Sequence, residues 1–198
     1  MKSGYALALA LLLSPVVACA QHGTGTPEMP STAAPTEAHQ FDFLIGQWEV
    51  DVKPKVGGLS AMIHGAPKLV GSWKAWRSLD GFGIEDELRI ADASGNPLSL
   101  NETLRVFDRS QNRWTIVGLD VYRAHVSNST AQWNGTEMRV DGSGVDGEGK
   151  PYVSRVRYFA ISADAFRMQQ DRSLDNGQTW DEATLTIEAR RVAAGAAR

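Results

Sequence analysis

Apolar and polar residues alternate along short segments of this chain. Trp48, Val50 and Val52 share one parity, and the residues between them are charged. Successive side chains of a β-strand point to opposite faces, so this pattern predicts a strand with one face toward a core and one toward water. The alternation recurs in three further runs, whose apolar residues we expect to face the same core: Phe82-Ile84-Leu88-Ile90, Leu100-Leu104-Val106 and Ala183-Leu185-Ile187-Ala189.

Turn-forming residues separate these runs at the spacing that is typical of all-β sandwiches and barrels. They are rich in Gly, Asn and Asp, as in Asn134-Gly135 and Asp175-Asn176-Gly177, and these residues accept the positive φ of tight hairpins. Short hairpins keep successive strands adjacent and antiparallel, and closing the sheet removes its exposed edges. The sequence therefore predicts an all-β fold over residues 39–192, an antiparallel up-and-down β-barrel of about nine or ten strands. A helical turn at His39–Ile45 would cover one end.

The N-terminus has the pattern of an export signal over residues 1–20. Lys2 precedes an apolar run, and Pro15 ends that run before small residues. Ala18-Cys19-Ala20 fits ordinary signal peptidase, whereas Val16-Val17-Ala18-Cys19 resembles the bacterial lipobox. The chain has one cysteine, which cannot form an internal disulfide, and lipidation would explain an otherwise unpaired thiol in an oxidising compartment. We expect a periplasmic protein tethered to the membrane through Cys19; the alternative is that this cysteine leaves with the signal.

Composition limits the remaining possibilities. Residues 21–38 are dominated by Gly, Thr, Pro, Ala and Ser, which predicts a disordered linker, and residues 193–198 are expected to form a disordered tail. The net charge of −3 argues against a nucleic-acid partner, which would require a basic face. The four histidines are scattered and the cysteine is single, so no metal site and no cofactor are predicted.

Three segments give a resemblance to a known family. They are Phe41-Asp42-Phe43-Leu44-Ile45-Gly46-Gln47-Trp48, then Leu104-Arg105-Val106-Phe107-Asp108 with Arg113-Trp114, and finally Phe166 with residues 173–180. With them the chain resembles the DUF1579-like group of bacterial exported proteins, which are lipocalin-like (calycin-like) in fold, over most of residues 41–191. The resemblance implies that an arginine of the last strand crosses the tryptophan of Gly46-x-Trp48. Parity favours Arg191, in a structural role.

Residues 173–180 also match the Asp-box pattern S-x-D-x-G-x-x-W that is familiar from sialidase propellers. Those enzymes repeat the box in each blade, whereas this chain has one copy. The pattern is explained by a hairpin in which Asp175 bonds the turn backbone, Gly177 takes a positive φ and Trp180 packs over the loop. We therefore expect a structural role.

The lumen of the barrel is the expected ligand site, because small barrels hold one apolar ligand among aromatic and a few polar side chains. Asp86 and Glu102 interrupt otherwise apolar strand faces, and a buried carboxylate requires a partner such as Arg, Tyr or an amide. Tyr122 and His125 follow a strand near a rim. The candidate ligand-binding residues are Trp73, Asp86, Glu102, Trp114, Tyr122, His125 and Tyr158.

Three functions are compatible with these features. The first is an exported barrel that binds a small apolar or aromatic molecule, with a haem-binding variant in which His125 would be the axial ligand. The second is a lyase or isomerase in which Asp86, Tyr122 and His125 perform general acid–base chemistry. The third is an envelope lipoprotein scaffold, which requires a contiguous apolar patch on the outer surface.

Overall fold

A computed structural model describes residues 33–57, 66–146 and 149–193. Within these ranges ten antiparallel strands form a closed barrel, which confirms the all-β up-and-down architecture. The strands are β1 (Gly46–Pro54), β2 (Leu69–Ser78), β3 (Gly83–Asp92), β4 (Pro97–Asp108), β5 (Arg113–Asp120), β6 (His125–Trp133), β7 (Met138–Val145), β8 (Pro151–Phe159), β9 (Ala165–Ser173) and β10 (Asp181–Arg191).

Each strand pairs with its neighbours in sequence, and β1 pairs with β10 to close the barrel. The closing ladder begins with Trp48 opposite Arg191 and ends with Pro54 opposite Leu185. From β2 to β10, short connections explain the meander, since they leave no length for a crossover. The ladder between β9 and β10 shifts register between Asp181 and Leu185, where Asp171 Oδ1 accepts a hydrogen bond from the Ala183 amide at 2.9 Å.

Two short 3-10 helices, Thr36–His39 and Asp42–Leu44, precede β1. They cover one end of the barrel, because Ala38, Phe41 and Leu44 are completely buried in its core. Arg77 on β2 donates to the Ala38 carbonyl at 2.7 Å. The expected turn is therefore present, but the expected end of the linker at residue 38 is too late, since the chain is already packed there. The proposed signal, Cys19 and most of the linker lie outside the described residues, as do residues 194–198.

The covered half of the barrel is filled by aromatic rings. Trp114 packs edge-on against Phe41 at 4.9 Å between ring centroids, and Trp48 packs in the same way against Phe166 at 4.9 Å. Phe43, Trp73 and Tyr158 complete the cluster through further contacts between 5.5 and 6.2 Å. Edge-to-face contacts of this kind add to the free energy gained by burying the rings.

The inward face of β4 is the opposite of the one expected. Arg105 and Phe107 are buried, whereas Leu104 and Val106 are only partly covered on the outer face. Arg105 turns inward because it forms a buried ion pair with Asp86 of β3, and Phe107 follows it two residues later to pack on Trp114. In β3 and β10 the expected faces are the inward ones: Ile84 and Ile187 are buried.

The structure places Arg191 over the indole of Trp48, with its guanidinium carbon 4.0 Å from the ring centroid. The same guanidinium donates to the carbonyls of Ala163 and Ile45, at 2.6 and 2.9 Å. Gly46 has a φ of +129°, and a Cβ built on it would lie 2.3 Å from Arg191 Nη1. A side chain at position 46 would therefore displace the stacked arginine.

In the Asp-box hairpin, Asp175 accepts hydrogen bonds from the Ser173 hydroxyl at 2.6 Å and from the amide and hydroxyl of Thr179 at 2.8 and 2.6 Å. Gly177 has a φ of +90°. Trp180 donates to the Gly177 carbonyl at 3.1 Å, and Arg155 stacks on its ring at 3.6 Å. These contacts close a hairpin and engage both carboxylate oxygens of Asp175 within the loop.

We predict that Gly46→Ala destabilises the barrel more than Gly95→Ala does. Gly95 also has a positive φ, +87°, but open space around its Cα, so its substitution adds only backbone strain of about 1–3 kcal/mol. Gly46→Ala adds the loss of the arginine–indole stacking, ~0.5–2 kcal/mol. Urea unfolding of both variants measures the difference. The loss of unfolding free energy caused by Gly46→Ala should be smaller when Arg191 is also replaced by Ala. An unchanged loss would show that a side chain at position 46 does not collide with Arg191.

We also predict that Asp175 titrates far below an ordinary carboxyl. The hydrogen bonds from Ser173 and Thr179 lower its pKa to about 2. A folded pKa below the unfolded one stabilises the fold above about pH 4, and this contribution is lost as the pH falls through the folded pKa. Carboxyl carbon NMR should show the low pKa, and Ser173→Ala should raise it. An ordinary pKa in the wild-type chain would refute the hydrogen-bonded hairpin.

Candidate functional site

On β5 to β8, several inward positions in the other half of the lumen are small residues. Inward residues of neighbouring strands lie opposite one another: Gly118 of β5 is opposite Ser127 of β6, and Gly142 of β7 lies between Ser129 of β6 and Ser154 of β8. A Cβ built on Gly118 would lie 2.8 Å from Ser127 Oγ, so these residues share the inner face. Ser127, Ser129 and Ser154 stay partly exposed. Side chains of this size leave space along these four strands, and we call this part of the lumen the open half.

A cleft between β6 and β7 leads into the open half. The two strands pair from Trp133–Met138 to Ser129–Gly142. Beyond that point, among the described residues, His125–Asn128 pairs with β5 and Ser143–Val145 pairs with β8. A cavity of about 500 Å³ occupies the gap. Its walls include His125, Ser127, Gly144, Val145, Tyr152 and Leu174.

Three of the aromatic candidates lie away from this cavity. Trp73, Trp114 and Tyr158 belong to the packed cluster in the covered half, with 2%, 0% and 6% of their surface exposed. Trp114 Nε1 donates to Gln40 Oε1 at 3.0 Å, which ties the first 3-10 helix to β5. These three residues build the floor of the open half rather than its walls.

Asp86 points inward, as expected from its position, and is 1% exposed. Trp73 Nε1 donates to its Oδ1 at 2.8 Å, and Arg105 supplies the opposite charge. Burial lowers the pKa of Arg105, and the neighbouring Tyr158 hydroxyl opposes that shift. Both oxygens of the Asp86 carboxylate therefore have a partner within the packed half, which is typical of a residue with a structural role.

Glu102 lies on the outer face of β4, which corrects the expectation that it faces the lumen. The reversed phase of β4 puts it beside Glu87, its partner across the ladder. Burial and the nearby Glu87 carboxylate raise the pKa of Glu102. Glu102 lines a shallow outer groove together with Leu104, Val117 and Leu119, and it has no access to the cavity described above.

Tyr122 and His125 lie at the open end of the barrel. Tyr122 is in the turn between β5 and β6 and is 52% exposed, while His125 is exposed at the start of β6 and lines the cleft. Asp86 is held in the packed half by Trp73 and Arg105. The three residues of the expected acid–base set therefore do not converge on one cavity, and the structure offers this reaction no shared site.

Sequence reasoning missed the residues that define the open half. Ser127, Gly144, Tyr152 and Arg172 all lie at or next to the cleft, yet none of them was a candidate. The available signal was Gly142-Ser143-Gly144 within a strand, where alternating glycines leave one face bare. Whether this bare face lines a cavity depends on which strand lies opposite it, and the sequence does not specify that strand.

The outer face of β4 to β6 is partly apolar. Leu119 and Val126 are partners across the ladder and are 38% and 56% exposed, and Val117 beside them is 40% exposed. This is the kind of patch that the scaffold hypothesis requires, although nothing in the structure indicates what would cover it. The scaffold function stays a prediction.

Within residues 33–57, 66–146 and 149–193, no group of three or more His, Cys, Asp or Glu side chains is arranged to hold a metal ion. A search of the same ranges finds no helix with the length and hydropathy needed to cross a bilayer.

Neither a family model nor a curated protein matches this chain. Among solved structures, the S-type phycobiliprotein lyase CpeS from Guillardia theta matches with a TM-score of 0.51 and 10% sequence identity; the match covers 79% of this chain and 92% of that one. At this identity the likeness concerns the fold alone. Together with the closed ten-stranded meander, it is consistent with a calycin-like fold.

Proposed function

We propose that this protein is a lipocalin-like barrel that binds a small apolar or aromatic molecule in the open half of its lumen. The observation that carries the proposal is the cavity where β6 separates from β7. A barrel that served only as a scaffold would have no need to keep such a cavity, because unfilled space loses contact energy.

The size and chemistry of the cavity fit such a ligand. About 500 Å³ lies within the range of small-molecule sites, which combine apolar walls with a few polar groups. Val145, Tyr152 and Leu174 supply apolar surface, and Ser127 supplies a hydroxyl. Because the similar structure is a phycobiliprotein lyase, a linear tetrapyrrole is one of the aromatic ligands worth testing here.

Binding can be tested with N-phenyl-1-naphthylamine, a neutral dye that fluoresces in apolar sites. We expect the wild-type protein to enhance its emission, and Ser127→Trp, which fills the open half, to weaken binding at least about tenfold. Thr115→Trp is the matched control, because Thr115 lies exposed on the outer face of neighbouring β5. It should bind the dye as the wild type does.

Two results would count against the proposal. One is the absence of binding by the wild type across the dye, haemin, biliverdin and long-chain lipids. The other is equal weakening by both tryptophan variants, which would place the dye on the surface. Circular dichroism of each variant controls for folding.

Membership of the DUF1579-like group and export to the periplasm are part of the same proposal. They are supported by the Gly46-x-Trp48 start of β1, the Asp-box hairpin and the signal pattern of residues 1–20. A lipidated N-terminus would attach such a barrel to a membrane.

The anchor is tested by replacing Cys19. If Cys19 is acylated, the wild-type protein should partition with membranes and Cys19→Ala should be released as a folded barrel, since one acyl-bearing residue supplies the membrane affinity. Cell fractionation and the intact mass of the mature N-terminus give the answer. A wild type that is soluble and begins at Gln21 would exclude the anchor and leave the barrel proposal untouched.

A further inference from the structure

A guanidinium group lies beside the cleft without a carboxylate to neutralise it. Arg172 is half-buried on β9, and its Nε donates to Gln170 Oε1 at 3.0 Å. Its guanidinium carbon lies 4.4 Å from the centroid of the Tyr152 ring, and Tyr152 is part of the cavity wall. No ion pair joins Arg172 to a carboxylate among the residues that the structure describes.

The neighbours of Arg172 hold its side chain in a fixed direction. A Cβ built on Gly144 would lie 2.7 Å from Tyr152 Cζ, so the bare backbone of Gly144 provides the space that the ring occupies. The Tyr152 ring packs against the guanidinium of Arg172, and Gln170 Oε1 accepts the hydrogen bond from Arg172 Nε. Within the described ranges, the two Nη groups donate to no residue, and they form the part of the arginine that is free for an incoming acceptor.

Two other arginines that face the interior, Arg105 and Arg191, have different environments. Arg105 is paired with Asp86. Arg191 is stacked on Trp48 and donates to two carbonyls. Arg172 differs from both, because its side-chain contacts are with the neutral Gln170 and Tyr152 and it lies next to the cavity rather than in packed core. Its ladder partner Asp181 is ion-paired with Lys55 at 2.6 Å.

We propose that Arg172 is the anchor for an anionic group of the ligand, and that this group is a carboxylate. The inference rests on the proposed function, which it narrows to small apolar or aromatic carboxylic acids. A planar guanidinium fork matches a carboxylate through two parallel hydrogen bonds. A half-buried cation without a protein counter-ion gains most from a ligand that brings one.

The test uses dansylaminoundecanoic acid and its methyl ester, two probes with the same fluorophore and chain. We expect the wild-type protein to bind the acid at least about tenfold more tightly than the ester. Only the acid can form a charge-assisted hydrogen bond with Arg172, and the free energy of such a bond corresponds to a ratio of this size between the dissociation constants. Arg172→Gln should remove this preference and leave ester binding within about twofold of wild type. Arg167→Gln is the matched control, since Arg167 is exposed on the outer face of the same strand and its loss changes the net charge equally.

Each outcome separates the two proposals. Equal binding of acid and ester by the wild type, or a preference that persists in Arg172→Gln, would overturn the anchor and leave the binding barrel standing. Failure to bind either probe, together with the absence of binding across the panel described above, would overturn the proposed function itself. If Arg172→Gln does not fold, Arg172→Lys keeps the charge and removes the fork, and an undiminished preference in that variant would again overturn the anchor.

Discussion

The buried ion pair between Asp86 and Arg105 is the constraint on which the rest of this barrel depends. A carboxylate that is 1% exposed costs several kcal/mol unless an opposite charge and hydrogen bonds compensate it. Arg105 supplies the charge and Trp73 the hydrogen bond. To reach Asp86, β4 must turn Arg105 inward, and the period of two residues then turns Phe107 inward and Leu104 outward. One buried charge thereby sets the phase of a whole strand.

With β4 in this orientation, the interior has two halves with different properties. In the covered half, the aromatic rings and the two 3-10 helices pack around the ion pair and leave no room for a ligand. In the other half, serine and glycine occupy several inward positions of β5 to β8 and cannot meet across the lumen. A rigid, filled floor beneath an unfilled cup is the arrangement that allows a small barrel to bind a molecule without losing its own core.

The ladder is continuous where the barrel closes and interrupted where the cup opens. Between β1 and β10 the pairing runs without a break over seven residue pairs, and Arg191 stacked on Trp48 stabilises its end. Between β6 and β7 the pairing stops at Ser129 and Gly142. A strand edge without a hydrogen-bonded neighbour normally promotes aggregation. The position of these two unpaired edges beside the cavity therefore supports a role in ligand entry.

The sequence alone predicted the features that depend on neighbours in the chain. The alternation of β1, the hairpin turns, the Asp-box loop and the turn before Gly46 are local, because hydrogen bonds and φ preferences act over a few residues. The partner of Asp86 could be predicted by kind, since a buried carboxylate requires a cation, but not by position. The inward face of β4, the outer location of Glu102, the separation of Tyr122 and His125 from Asp86, and the cavity beside Tyr152 and Arg172 were decided only by tertiary structure. They depend on which strands lie opposite one another across the barrel, and no local pattern in the sequence carries that information.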